Sequence, residues 1–128
     1  MKKASVRDLR YRFSAVEDLL RDATGKASAS TCKAISALIT EAEDNIKDAA
    51  EPSIRDITLI ASAQQVEHHE IAVYGTLRSW AELLGQAGAA NTLESILEEE
   101  KNADELLSTI SDSVNTTAET RSAHASRV

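Results

Sequence analysis

Acidic residues on an otherwise apolar helical face constrain the fold of this chain more than any other feature. Between residues 57 and 84, apolar residues recur every three or four positions, which is the spacing of one face of an α-helix. The face passes through Glu67 and borders Glu70. A carboxylate among apolar neighbours is costly unless something pairs with it. The apolar members of the face are Ile57, Ile60, Ala63, Ile71, Tyr74, Leu77, Ala81 and Leu84.

The next predicted helix repeats this pattern. Glu100 falls on its apolar face, and Asp104 follows one helical turn later. Two consecutive helices with inward carboxylates at matching depth predict a metal site inside a helical bundle. The apolar members of this second face are Leu93, Ile96, Leu97, Leu107, Ile110 and Val114.

Four acidic residues are therefore the candidate metal ligands: Glu67, Glu70, Glu100 and Asp104. Their carboxylate oxygens suit hard or borderline cations such as Fe, Mn, Mg and Ca. Tyr74, one turn beyond Glu70, either hydrogen-bonds a ligand carboxylate or carries its hydroxyl to the surface. In the alternative interpretation, the acids pair with cations at a wet groove, for which the candidates are Arg55, Arg78 and Lys101.

The adjacent histidines His68 and His69 diverge by about 100° on a helix, so both cannot face the core with Glu67. The fourth position after His69 is Val73, which excludes the zincin motif. We expect one or both histidines to be partly exposed or to hydrogen-bond a neighbouring helix. The single cysteine, Cys32, has no neighbouring histidine in sequence, and a reactive thiol is not expected.

Composition predicts an all-α fold. Aromatic residues make up 3% of the 128 residues, and there are only four Gly and one Pro. Gly25, Pro52 and Gly85 mark the breaks between helices, and Ser30 or Thr31 is a candidate cap for the second helix. The helices are predicted at about 5–23, 32–49, 53–84 and 89–114.

The pattern predicts one domain, residues 1–115, followed by a tail, residues 116–128. The tail has almost no large apolar residues, and we expect it to be disordered. The net charge of −7, without a basic patch, argues against nucleic acid or an anionic membrane as a partner. We find neither a secretory leader nor a run of about 20 apolar residues, so a cytoplasmic location is expected.

Two long segments resemble a known family. Residues 55–78 (RDITLIASAQQVEHHEIAVYGTLR) closely resemble the third bundle helix of the YciE/YciF-like, ferritin-like proteins, the DUF892 family. Residues 97–107 (LEEEKNADELL) resemble the fourth helix of that family, and residues 31–34 with 38–42 resemble its short crossover segment. The resemblance extends from about residue 13 to residue 115.

The resemblance implies a ferritin-like antiparallel bundle, usually dimeric, associated with bacterial stress responses. By analogy with ferritins and rubrerythrins it also implies a di-metal carboxylate site, whose matching positions here are Glu67, Glu70, Glu100 and Asp104. Family members carry a full helix before the first helix of this chain, so we expect a partial bundle with a short crossover helix. The first helix offers no ligand on its apolar face, which comprises Val6, Leu9, Phe13, Val16 and Leu20.

Three hypotheses follow from these observations. In the first, two chains pair, and a composite Fe or Mn site forms in a homodimer or higher homo-oligomer, with residues 6–20 as the seam. In the second, metal binding is lost, and the protein is a non-catalytic helical interaction or structural protein. In the third, it is an oxidase or peroxidase. This hypothesis ranks last, because such redox chemistry needs a well-built site. No catalytic residue is assigned.

Overall fold

Four α-helices connected by short loops account for the part of the chain that the structure describes. This computed structural model describes the backbone of residues 6–125 and the side chains of residues 14–116 and 119. No strand occurs within residues 6–125, which confirms the all-α prediction. The helices are α1 (Val6–Thr24), α2 (Lys33–Asp48), α3 (Pro52–Leu83) and α4 (Ala87–Ala125).

Two glycines end helices through the left-handed conformation, as predicted. Gly25 has φ +77°, and its N–H donates to the carbonyl of Arg21 at 2.8 Å. Gly85 has φ +70° and donates to the carbonyl of Glu82, while the N–H of Gln86 donates to the carbonyl of Ala81. This pair of bonds is the Schellman motif, which satisfies carbonyls at a helix end. It fixes the sharp turn between α3 and α4.

The starts of α2 and α3 differ in how well they were predicted. Pro52 occupies the first turn of α3, where its missing N–H has no intrahelical partner to lose. For α2, the prediction that Ser30 or Thr31 caps the helix is wrong. Cys32 is the N-cap residue, and its side chain makes no capping hydrogen bond. The boundary itself was predicted to within one residue.

The long helices α3 and α4 form an antiparallel hairpin that contains most of the core. The core at the closed end of the hairpin is built from Ala81, Ala90 and Leu93, against which Leu19, Tyr74 and Ala89 pack. Ile96 and Leu97 extend the buried side of α4. In the described chain, α1 contacts α4, and α2 contacts α3. Thus α1 flanks the hairpin on the side of α4, and α2 flanks it on the side of α3. The expectation that the bundle is partial stays a prediction.

The apolar face predicted for α3 is only partly buried. Leu77 is 38% exposed and Leu84 is 75% exposed, and Trp80 on the same helix is 58% exposed. The placement of Leu77 and Leu84 on a covered face is therefore wrong for this chain. These side chains are exposed because α2 does not reach them. The helix α2 begins at Lys33, next to the contact between Cys32 and His69, and runs from there towards the start of α3.

The last helix is longer than predicted. Its end was expected near residue 114, but α4 continues to Ala125, so the predicted disordered tail is helical over residues 116–125. The segment from residue 89 to residue 125 contains neither Gly nor Pro, the two residues that most disfavour a helix interior. Residues 126–128 lie outside the described part, and the division at residue 115 stays a prediction. No helix within residues 6–125 is long and apolar enough to cross a membrane.

The predicted seam on α1 is described only in part. Val16 is half-buried and Leu20 is 42% exposed, while Leu19 makes the packing contact with the core. The other three members of the predicted seam lie outside the described side chains: Val6, Leu9 and Phe13. The hypothesis that residues 6–20 join two chains stays a prediction.

Candidate metal centre

Three of the four predicted ligands lie together between α3 and α4. One carboxylate oxygen from each of Glu67, Glu70 and Glu100 lies within 4.8 Å of the other two. Glu100 is only 3% exposed, and Glu67 and Glu70 are half-buried. The cluster is thus a partly enclosed group of oxygen ligands in the wall of the bundle.

Helical geometry explains why these three residues meet. Glu67 and Glu70 are three residues apart, so both project from one face of α3 within a single turn. The antiparallel hairpin sets the register of α4, since Gly75 packs on Leu97 and Ala81 packs with Ala90. That register brings Glu100 opposite the two α3 glutamates.

Asp104, the fourth predicted ligand, is not part of this group. Its carboxylate accepts a hydrogen bond from Gln64 at 3.3 Å and pairs with Nδ1 of His68 at 3.3 Å. Gln64 also donates to the hydroxyl of Ser108 at 2.9 Å. A separation of four residues places Asp104 about 6 Å further along the axis of α4 than Glu100. Its side chain therefore joins a neighbouring polar layer that links α3 to α4.

His68 belongs to this second layer, and its protonated nitrogen can be assigned from its partners. Nδ1 lies 2.9 Å from the carbonyl oxygen of Gln64 and 3.3 Å from Asp104. Both partners are acceptors, so Nδ1 is the nitrogen that carries the proton. The side chain is 66% exposed. The prediction that one or both histidines are partly exposed or bond a neighbouring helix is confirmed for His68, which contacts Asp104 of α4.

His69 makes a contact that sequence reasoning missed. Its Nε2 lies 3.8 Å from the sulfur of Cys32, the residue that precedes α2. The two residues are 37 positions apart, so no local pattern could place them together. Only the path of the crossover segment, which returns α2 along α3, creates the contact.

The cations considered above as alternative partners of the acids contact other groups. Arg78 joins Glu82 on its own helix and Glu94 on α4, each at 2.9 Å. Lys101 pairs with Glu98 at 2.8 Å, and Arg55 donates to the carbonyl of Ala49 at 3.2 Å. The Arg78–Glu94 pair connects the two helices about two turns from the carboxylate cluster.

The ligand set suits one hard or borderline divalent cation. Three carboxylates from two rigid helices supply oxygen ligands, which Fe(II), Mn(II) and Mg(II) accept. A complete di-metal site in a helical bundle uses glutamates from all four helices and two histidines. Among the described residues, the cluster brings together three carboxylates from two of the four helices.

Comparisons with known proteins agree with this architecture. Residues 4–120 match the family described as a domain of unknown function, DUF892. This chain belongs to the DUF892 family. The family resemblance predicted from the motifs of α3 and α4 is therefore confirmed.

One curated relative in the DUF892 family is Protein YciF of Escherichia coli strain K12. It is 46% identical to this chain over 91 residues, which are 70% of this chain and 55% of YciF. The chain thus spans about half the length of the curated relative that it matches.

Two solved structures share the fold. The E. coli stress protein YciF superposes with a TM-score of 0.78 at 34% identity, covering 86% of this chain and 70% of that one. YcfI of Rhodopseudomonas palustris, whose description proposes a structural role, gives 0.76 at 36% identity, covering 80% and 66%. The helical-bundle prediction is confirmed by both.

Proposed function

We propose that this protein is a stress-associated, ferritin-like metal-binding protein, whose carboxylate site holds Fe or Mn. The observation that carries the proposal is the convergence of Glu67, Glu70 and Glu100 within 4.8 Å. The association with stress is supported by similarity to YciF, which is described as a stress protein.

Electrostatics favours a cation at this position. Two ionised carboxylates about 4.8 Å apart repel by about 3 kcal/mol at an effective dielectric constant of 20. Glu100 is buried, and its desolvation adds to the cost of an ionised cluster. A divalent cation between the three oxygens converts these repulsions into attractions. The three glutamates would hold it, and the metal would supply Lewis acidity or redox chemistry when bound.

The number of ligands supports completion of the site by a second copy of the chain. Three carboxylates leave coordination positions open on Fe or Mn, which commonly take six ligands. Asp104 is held by Gln64 and His68, so it is not the fourth ligand in this arrangement. In a homodimer, groups of the partner or water molecules complete the shell.

Elemental analysis and native mass, measured on the same purified sample, test the proposal. We expect roughly one Fe or Mn per chain in a dimer. After metal removal, anaerobic addition of Mn(II) should restore this content, and Glu67→Gln with Glu100→Gln should prevent it. Glu105→Gln, at an exposed position of α4, is the matched control. A protein that takes up no Mn(II) or Fe(II) contradicts the proposal.

A second candidate function is a helical interaction or structural protein that has lost metal binding. Two observations favour it: the proposed structural role of YcfI, and the large exposed apolar side chains of α3. A metal-free protein that assembles normally would support this alternative.

A further inference from the structure

The fold brings the single cysteine of the chain into contact with a histidine. The sulfur of Cys32 lies 3.8 Å from Nε2 of His69, within reach of a hydrogen bond to sulfur. Cys32 is exposed, so a reagent in solution can approach its sulfur. The prediction of an unreactive thiol rested on the absence of a histidine nearby in the sequence, and this contact removes that ground. A thiol beside an imidazole is a common arrangement of a nucleophilic cysteine.

The start of α2 places further hydrogen-bond donors close to this sulfur. Cys32 is the N-cap residue of α2, and the first backbone N–H groups of a helix have no carbonyl partner within it. The first turn of α2 contains no acidic residue, and Lys33 follows Cys32 directly. The positive end of a helix dipole stabilises a nearby anion, and the thiolate anion is the nucleophilic form of cysteine. The backbone therefore supports attack by this sulfur together with His69.

His69 can assist the sulfur without a change in its own charge. Its Nε2 accepts a hydrogen bond from the thiol in one neutral tautomer and donates one to the thiolate in the other. The side chain is half-buried on the long helix α3, which limits the positions that the ring can take. We therefore describe His69 as a positioning residue for the sulfur of Cys32.

An open hollow of about 370 Å³ begins at His69 and follows α3 away from α2. Pockets that bind small molecules have volumes of roughly 300–1,000 Å³. Because His69 both lines this hollow and contacts Cys32, the sulfur lies at one end of it. We refer to this feature as the α3 hollow, which is lined by His69, Ala72, Val73, Thr76, Leu77 and Trp80.

We propose that Cys32 and the α3 hollow capture apolar electrophiles of the α,β-unsaturated carbonyl class as covalent adducts. The sulfur of Cys32 forms a bond to the β-carbon of the electrophile, and the electron pair of the C=C bond moves to the α-carbon. The α-carbon then takes up a proton, which replaces the one that the thiol has lost. No group leaves, and no oxidant or reductant is consumed. The reaction uses none of the three clustered carboxylates and is independent of the metal proposal.

The lining of the α3 hollow favours an uncharged, apolar substituent on the electrophile. Among the residues that line it, none is acidic and none is a lysine or an arginine. A charged substituent would lose water there without gaining an ion pair. An alkyl chain would instead contact Val73, Leu77 and Trp80, and the burial of each CH₂ group is favourable.

Reaction with N-alkylmaleimides tests the site, because these compounds are uncharged α,β-unsaturated carbonyls that differ only in the alkyl chain. Intact mass spectrometry of the metal-free protein at neutral pH gives the rate constants for N-methylmaleimide and N-hexylmaleimide. Each is divided by the rate constant of the same reagent with N-acetylcysteine. We expect the corrected rate to be about tenfold higher for the hexyl compound. A corrected hexyl-to-methyl ratio near one overturns the proposal.

Substitutions separate the contributions of the histidine and of the α3 hollow. His69→Ala should slow both reagents about tenfold, and His69→Gln, whose amide can hydrogen-bond the sulfur, should restore most of the rate. Val73→Ser should lower the hexyl-to-methyl ratio severalfold and leave the rate with N-methylmaleimide unchanged. The matched control is His68→Gln, since His68 is exposed on the same helix and contacts Asp104 instead of Cys32. Cys32→Ser should gain no mass, because the chain has no other cysteine.

Circular dichroism establishes that the variants remain helical. A His69→Ala protein that reacts as fast as the wild type overturns the proposal, and so does a Val73→Ser protein that keeps the full hexyl-to-methyl ratio. These outcomes are distinguishable from failure of the metal site, because the reactions are run in a chelator and the uptake of Mn(II) is measured separately.

Discussion

Neutralising Glu100 should stabilise the metal-free protein and weaken its response to metal. Its carboxylate is buried and lies within 4.8 Å of those of Glu67 and Glu70. Each like-charge pair costs about 3 kcal/mol at an effective dielectric constant of 20. Solvent around the two half-buried partners weakens this repulsion, so we expect Glu100→Gln to raise the free energy of unfolding by about 2 kcal/mol.

The assay is thermal unfolding with and without Mn(II). For a domain of this size, a gain of about 2 kcal/mol raises Tm by roughly 6–8 °C in a chelator. With Mn(II) at about one hundred times Kd, the wild type should gain about 2.7 kcal/mol. Glu100→Gln should gain much less, so the order of stability reverses on metal addition.

Glutamine keeps the shape of the side chain and its carbonyl acceptor, which separates the loss of charge from the loss of packing. Glu105→Gln, an exposed substitution on the same helix, should change neither Tm nor the response to Mn(II). The reasoning is refuted if metal-free Glu100→Gln is no more stable than the wild type. It is also refuted if the variant retains the full stabilisation by Mn(II).

Three further predictions concern the helices around the site. Gly75→Ala should stabilise the protein by about 0.5–1 kcal/mol in urea unfolding, because glycine weakens a helix interior and an added Cβ meets only Leu97, at 3.9 Å. A loss of stability would contradict this packing. Gly85→Ala should destabilise it by about 1 kcal/mol in the same assay, because the turn requires φ +70°; unchanged unfolding would exclude the Schellman turn. Asp104→Asn should leave Mn(II) affinity within about twofold, measured by calorimetry, because Asp104 lies outside the carboxylate cluster; a loss comparable to that of Glu100→Gln would place Asp104 among the ligands.

Sequence periodicity was sufficient to predict the helices and their connections. Apolar spacing identified all four elements, and Gly25, Pro52 and Gly85 located the breaks to within a few residues. These signals are local, because capping and helix propensity depend on neighbouring residues. The end of α4 was missed because the absence of large apolar residues after residue 115 indicated disorder, whereas the absence of Gly and Pro allowed the helix to continue.

The sequence predicted three of the residues in the candidate site, but not that Asp104 lies outside the carboxylate cluster. Spacing along each helix placed Glu67, Glu70 and Glu100 on inward faces, and the structure brings these three together. Asp104 shares a face with Glu100 but lies one turn along the axis, so the register of α3 against α4 decides its partners. That register depends on packing between distant residues, which the sequence does not display. The exposure of Trp80 has the same origin, since it depends on where α2 begins.

An anomalous-scattering experiment tests the central claim most directly. Crystals of the protein grown with Mn(II) are measured on both sides of the manganese absorption edge, so that the difference map locates the metal alone. We predict one strong peak per chain between α3 and α4, within about 2.0–2.3 Å of carboxylate oxygens of Glu67, Glu70 and Glu100. Crystals that show no peak there, or a peak only at Asp104 and His68, would contradict the account.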